Sequence, residues 1–348
     1  MQLWAIVEPG KPLQKIEEPD PAPKGSEVLV KVTHAGVCHS DLHLWHGGYD
    51  LGGGRRLNIM DRGVTLPRAP GHEVLGEVVA VGPDAEGVQV GDSRVIYPWM
   101  GCGECPTCLA GDENLCDKPH AIGVIHHGGF GSHVLLPHPR YLFDYGTVDP
   151  AVAATFPCSA ITVYGAISKM AEVEKDAPIL LLGAGGLGFA ALLMLHALGW
   201  TNVLMTDVNE AKRQAALDAG ATAFIAAGPD QLAQVHEAAG GPPRVVIDFV
   251  NTGRTAEAGL EMLGRGGKLI LVGVGGGDFM LSTAMMIFRA RTIVGSMTGG
   301  MKDLEAVIKL ANEGKLAPVP VERMAKDEAN EAMRRLEEGQ VTGRIVLT

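Results

Sequence analysis

The chain has 348 residues, enough for two domains that each bury an apolar interior, and 46% of it is hydrophobic. Asp and Glu outnumber Lys and Arg by 40 to 29, a net charge of -11 that argues against nucleic acid or an anionic membrane as partner and for a small molecule. With 47 glycines and only 5% aromatics, the composition suits an α/β fold with many tight turns rather than a helical bundle.

The opening MQLWAIVEPGKPLQKIEEPDP has no basic stretch followed by an apolar run, so no secretory leader and no membrane span are expected. A cytoplasmic setting with reduced thiols follows as an expectation. Residues 28–37, 73–82 and 93–99 read as β-strands separated by Gly, Pro and Asp. From Ala177 the rhythm changes to short apolar strands alternating with helices, at 202–207, 221–227, 244–250, 268–274 and 292–297. That alternation predicts a parallel sheet covered on both faces. The tail gives a helix, a Pro-bearing strand, a second helix and the closing strand RIVLT.

Three sets of residues carry chemistry. Cys102, Cys105, Cys108 and Cys116 follow C-x2-C-x2-C-x7-C, with Gly101, Gly103 and Pro106 to make the turns. Four thiolates saturate a tetrahedral zinc and leave no open position, so this lobe reads as structural; iron-sulfur ligation and a disulfide pair are the alternatives. GAGGLG places Gly183, Gly185 and Gly188 between an apolar strand and an apolar helix, and Asp207 closes the next strand. Such glycines let the backbone approach a pyrophosphate at a helix N-terminus, and the carboxylate would accept from ribose hydroxyls and repel a 2'-phosphate, favouring NAD over NADP. A second cluster, VGVGGG at 272–277, ends a later strand at the same edge. The two remaining cysteines, Cys38 in GVCHSDLH and Cys158 in FPCSAITVYG, join His72 of GHE as candidates for a Cys2His zinc with its fourth position open. Taken singly, each also reads as a buried core residue.

In this order these motifs resemble the zinc-dependent medium-chain alcohol dehydrogenases along essentially the whole chain. LHLWHGGY, Trp99 and the closing TGR fit as well, and the first two are similar to the microbial tetrameric members. The resemblance implies an α/β enzyme acting on CH-OH: a Rossmann doubly wound parallel sheet plus a mainly β, GroES-like catalytic domain with a structural zinc lobe. It places the catalytic domain at 1–152 and 298–348 and the NAD-binding domain at 153–297. It implies two zinc ions per chain, the catalytic one on Cys38, His72 and Cys158 with Glu73 binding transiently, and Asp41 fixing the His72 ring. Ser40 and His43, three residues apart on a loop, would relay a proton. The cofactor would lie against Thr162, Gly183, Gly185, Gly186, Leu187, Gly188, Asp207, Arg213, Val274 and Arg344, the last on a phosphate. Tyr49 and Trp99 would wall the substrate pocket, with Trp45 either behind them or an ordinary core aromatic. A homotetramer is expected, or a dimer, with the strand at 292–297 pairing across an interface. The rivals are a polyol- or sorbitol-type dehydrogenase, a zinc-less reductase-like protein and a nucleotide-binding regulator.

One segment exceeds the pattern. Thirty-three residues separate Cys38 from His72, and those at 50–68 carry Arg55, Arg56, Arg62 and Arg68. They read as a solvated loop or subunit contact. The sharper expectation is a roof over the active site that favours anionic substrates.

Overall fold

The computed structural model describes residues 1–341 and 343–348, so Thr342 of the TGR motif lies outside the described residues. Both ends of the chain build one mainly antiparallel sheet. Its strands run in the order Val321–Met324, Arg344–Leu347, Val28–Gly36, Glu73–Val81, Ser93–Ile96 and Leu142–Phe143, with His133–Leu136 also pairing Val28–Gly36. Register shifts at Leu29/Val30 and Val32/His34 bend the long strand, as bulges do, and curl the sheet around its core. At the carboxyl end of that strand the chain enters a short helix, His39–Trp45, and the partner strand starts at Glu73. Cys38 and His72 are therefore neighbours across the sheet edge.

The second sheet is wholly parallel. Its order is Ala223–Ala226, Val203–Asp207, Ile179–Leu182, Val245–Asp248, Lys268–Leu271 and Thr292–Gly295. This is the doubly wound arrangement whose chain reversal, between the third and fourth of these strands, opens a crevice at the carboxyl edge. Helices on both faces explain why ILLL is buried throughout. Ile179 and Leu181 point into the large core shared with the first sheet, while Leu180 and Leu182 point into a smaller core on the far face.

The strands are shorter than their apolar runs. The strand expected over 244–250 stops at Asp248, because that carboxylate accepts from the Val250 and Asn251 N–H groups and turns the chain out of the sheet. Between the sheets, helix Pro150–Ala154, a single π-helical turn Phe156–Ala160 and helix Ile161–Ser168 form one continuous connection.

Candidate active site

One ligand atom each from Cys38, His72, Glu73 and Cys158 lies within 4.8 Å of the others. Three separate elements supply them. Cys38 caps the short helix, the left-handed Gly71 (φ 92°) turns His72 inward ahead of its strand, and the π-helical turn carries Cys158. One buried carboxylate fixes two of these positions. Asp41 accepts from the Cys38 N–H (2.9 Å) and the Gly71 N–H (3.0 Å), and its Oδ1 stands 3.3 Å from His72 Nδ1. Trp99 braces the others, with its ring 5.0 Å from the His72 ring and its Nε1–H donated to the Pro157 carbonyl at 2.8 Å.

The donor set fits a zinc ion. The Cys38 and Cys158 sulfurs are 3.8 Å apart, far beyond a disulfide, and two sulfurs at tetrahedral angles on one ion with bonds of about 2.3 Å would stand about 3.8 Å apart. His72 Nε2 is buried with no hydrogen-bond partner among the described residues, a cost that a metal removes. The Cys38 thiol is held well below its ordinary value by the hydrogen bond from Cys158 and by His72, while the same contact and burial push Cys158 up. A cation is what would release the second proton. Glu73 is fully buried and paired with Arg344. Burial pushes its carboxyl up against the opposing pull of that guanidinium.

The four remaining cysteines also converge, with neighbouring sulfurs 3.4 to 3.9 Å apart and none bonded. The lobe is tied to the core by Glu113, a residue that motif reading passes over. Its carboxylate accepts from the Gly101 N–H (2.9 Å) and the Tyr141 hydroxyl (2.8 Å) and pairs with Arg140 at 3.1 Å.

Ser40 and His43 sit on the helix His39–Trp45 rather than on a loop. Their spacing of three puts them on one helical face. The Asp41 carboxylate caps this helix by accepting from the Cys38 N–H, while the Asp41 N–H donates to the Cys38 carbonyl, which starts the helix despite its polar sequence. Burial lowers the His43 imidazole below its usual value, and its ring stacks on Tyr49 at 4.8 Å. Trp45 points elsewhere, donating to the Lys11 carbonyl, and belongs to the packing of the N-terminal segment.

At the crevice of the parallel sheet, Gly183 is left-handed (φ 98°) and Gly186 opens the helix Gly186–Ala197, followed by Leu187. A side chain on Gly188 would collide with the Gly183 carbonyl, whereas the space at Gly185 is open. The first requirement is close helix packing; the second is room for a ligand. Thr162 lies buried at the start of its helix. Asp207 Oδ2 accepts from the Ala184 N–H (2.8 Å) and pairs with Lys212 at 3.0 Å, and Oδ1 accepts from the Asn209 N–H. Although burial opposes it, these donors keep the carboxyl below its usual range. Arg344 runs from Glu73 to Gly186, its Cδ being 3.7 Å from where a Gly186 side chain would begin. Val274 is exposed on the loop beyond Lys268–Leu271. Arg213, also expected at the cofactor, stacks on Phe224, donates to the Phe224 carbonyl and pairs with Glu210 while staying partly exposed.

Comparison with known proteins places this geometry. Residues 24–144 match the alcohol dehydrogenase GroES-like domain and residues 186–313 the zinc-binding dehydrogenase domain. An NAD-dependent alcohol dehydrogenase of Sulfurisphaera tokodaii is 35% identical over 100% of this chain and 99% of its own. The chain belongs to the zinc-binding alcohol dehydrogenase family. An alcohol dehydrogenase of Geobacillus stearothermophilus is 33% identical over 99% of this chain and 98% of its own. The crystal structure of the alcohol dehydrogenase of Aeropyrum pernix superposes with a TM-score of 0.89 at 31% identity, covering 100% of this chain and 99% of that one.

The long segment of this family member is a hairpin of strands Gly48–Asp50 and Arg56–Asn58 followed by a turn of 3-10 helix, Ile59–Arg62. Arg55 bonds the Gly52 and Leu51 carbonyls of its own turn, Arg56 the His46 carbonyl and buried Arg68 the Thr65 hydroxyl, while Arg62 is exposed. Three of the four guanidiniums are thus hydrogen-bonded within the segment or to the end of the helix before it. Lys212, five residues after Asp207, escaped the sequence reading because a lone lysine at a helix start looks like a solvated charge.

Proposed function

We propose that this chain oxidises a primary or secondary alcohol, or reduces the corresponding aldehyde or ketone, with NAD and a zinc ion held by Cys38, His72 and Cys158. The observation that carries this reading is the convergence of those side chains with an unpartnered, buried His72 Nε2 beside a nucleotide-binding sheet edge. When bound, zinc supplies Lewis acidity that acidifies a hydroxyl, and NAD supplies the hydride acceptor. The protein does the rest. Ser40 takes the proton of the substrate hydroxyl, and His43, kept neutral by burial, accepts it and hands it toward water. Tyr49 and Trp99 form apolar walls that exclude water and orient the carbon bearing the hydride. Glu73, buried beside the ligands, would bind the metal transiently, and Arg344 compensates its charge while presenting a guanidinium beneath Gly186 for a phosphate.

Thr162, Gly183, Gly185, Gly186, Leu187, Gly188 and Val274 would line the cofactor, and the ribose hydroxyls would meet Asp207 and Lys212. Asp207 disfavours a 2'-phosphate, which supports NAD over NADP. A second, structural zinc would occupy the four-cysteine lobe. The domains would divide at 1–152 with 298–348, and 153–297. The cell compartment would be the cytoplasm and the assembly a tetramer built on the edge strand Thr292–Gly295. A polyol-type dehydrogenase is disfavoured by the complete lobe and by Cys158.

The test combines metal analysis with turnover on a panel of aliphatic, cyclic and aromatic alcohols, followed by NADH absorbance. The expected result is two zinc ions per chain, with Cys38→Ser losing one of them and its alcohol oxidation. A Cys38→Ser variant of full activity would refute the catalytic site.

A further inference from the structure

The hairpin Gly48–Asp50/Arg56–Asn58 touches the cofactor-binding sheet, and it does so backbone against backbone. A methyl group on Gly52 would stand 2.6 Å from the Gly277 carbonyl carbon and 2.7 Å from the Asp278 nitrogen. From the other side, one on Gly276 would stand 2.8 Å from Asp50 Cβ and 2.9 Å from the Asp50 oxygen. Gly52 is buried here although the residues on either side of it are exposed. The turn that carries it is stiff, closed by Leu51 N–H to Arg55 O (2.9 Å), Arg55 N–H to Gly52 O (3.0 Å) and the Arg55 side chain.

Each end of this contact leads to a functional group. On the substrate side, Asp50 follows Tyr49, the pocket wall stacked on His43. On the cofactor side, the Gly275 N–H donates to the Val250 carbonyl (3.0 Å) and the Gly276 carbonyl accepts from Gly253 (3.2 Å). Val250 in turn fills the space beside Gly183, where a side chain would meet its Cγ2 at 2.7 Å. A continuous run of packed groups therefore joins the pyrophosphate turn to the proton relay through Val250, Gly275, Gly276, Asp50 and Tyr49.

We infer that Gly52 and Gly276 are positioning residues: they let the hairpin seat on the cofactor loop and so set the Tyr49 wall by the position of that loop. The inference rests on the reading of the crevice as the NAD site. Because packed contacts of this kind have discrete arrangements rather than continuous give, nucleotide binding and the shape of the alcohol pocket become linked, and linkage is reciprocal. No charge or metal on the hairpin is involved.

Two alanine substitutions in one turn test it. Gly52 and Gly54 are both left-handed, at φ 76° and 73°, so Gly52→Ala and Gly54→Ala incur similar backbone strain. Only Gly52 faces the cofactor loop; nothing lies within 4 Å of a Gly54 side chain. Gly52→Ala is expected to weaken NADH binding, read by its fluorescence, and to raise KM for the alcohol, each by about fivefold or more, the lower range of site-to-site couplings. Gly54→Ala is expected to match wild type in both. Should Gly52→Ala not fold, Gly276→Ala places the clash from the opposite side and is compared with the same control. Variants of Gly52 and Gly54 that behave alike overturn the inference, provided wild type takes up NADH. A wild type that takes up none overturns the nucleotide reading beneath it.

Discussion

Trp99 holds two metal-ligand segments with one side chain. Its ring lies against His72, and its indole N–H satisfies the Pro157 carbonyl, one residue before Cys158. A phenylalanine would keep the wall and lose the donor, leaving a half-buried carbonyl without its partner at a cost of about 1 kcal/mol. Trp99→Phe is therefore expected to release zinc to a chelator faster than wild type while KM for a small alcohol stays close to normal. Unchanged release with a raised KM would show that the residue is a wall and nothing more. At this scale the sequence is informative where donors are rare: six cysteines, four of them in sixteen residues, leave few ways to assign Cys38 and Cys158. It is silent where a role depends on a backbone atom far along the chain. The indole of Trp99 reaches a carbonyl 58 residues away, and the buried carboxylate of Glu113 is tied to Tyr141, 28 residues on. Neither pairing leaves a trace in residue type or spacing.

Elements differ in legibility for a physical reason. Strands such as Ile179–Leu182 are buried on both faces and read as unbroken apolar runs. The helix His39–Trp45 has only seven residues, too few for a 3.6-residue period to emerge, and it exists through its Cys38/Asp41 cap and its packing. The π-helical turn at Phe156–Ala160 has no sequence signature either, and such turns cluster at functional sites. The four-cysteine lobe lies at the opposite extreme, since its short helix Pro106–Leu109 and 3-10 turn Glu113–Leu115 are too small to be stable alone. A metal-held lobe of this size should fail by unfolding. Cys105→Ala is expected to carry one zinc fewer and to lower Tm by roughly 5 °C or more, with kcat near normal well below that temperature. Abolished turnover in a fully folded Cys105→Ala protein would give the lobe a direct part in the reaction.

The order of the parallel sheet has a consequence for the whole molecule. Thr292–Gly295 pairs with Lys268–Leu271 on one side and with no other described strand, so its second edge is unpaired. The helix before it, Thr283–Arg289, and the flanking loops expose large apolar side chains: Met280 at 91%, Ile287 at 77%, Phe288 at 67% and Met297 at 50%. An open edge beside an apolar surface is a liability in a free monomer, and soluble proteins cover such edges or pair them. A second copy related by a two-fold axis would cover both at once, because the same strand and the same helix of each copy would meet their counterparts. Arg291 does not offset the patch, since it is turned inward to the Leu263 and Gly264 carbonyls. If this face joins copies, a charge placed on it must be buried without a partner, at a cost of several kcal/mol per interface. The pair Ile287→Asp and Phe288→Asp is therefore expected to reduce the mass measured by light scattering to that of a smaller species. NADH binding should survive, because the strand that leads to Gly183 lies three places further into the sheet. A double variant that keeps the wild-type mass would move the subunit contact to another face and leave the apolar helix without a partner.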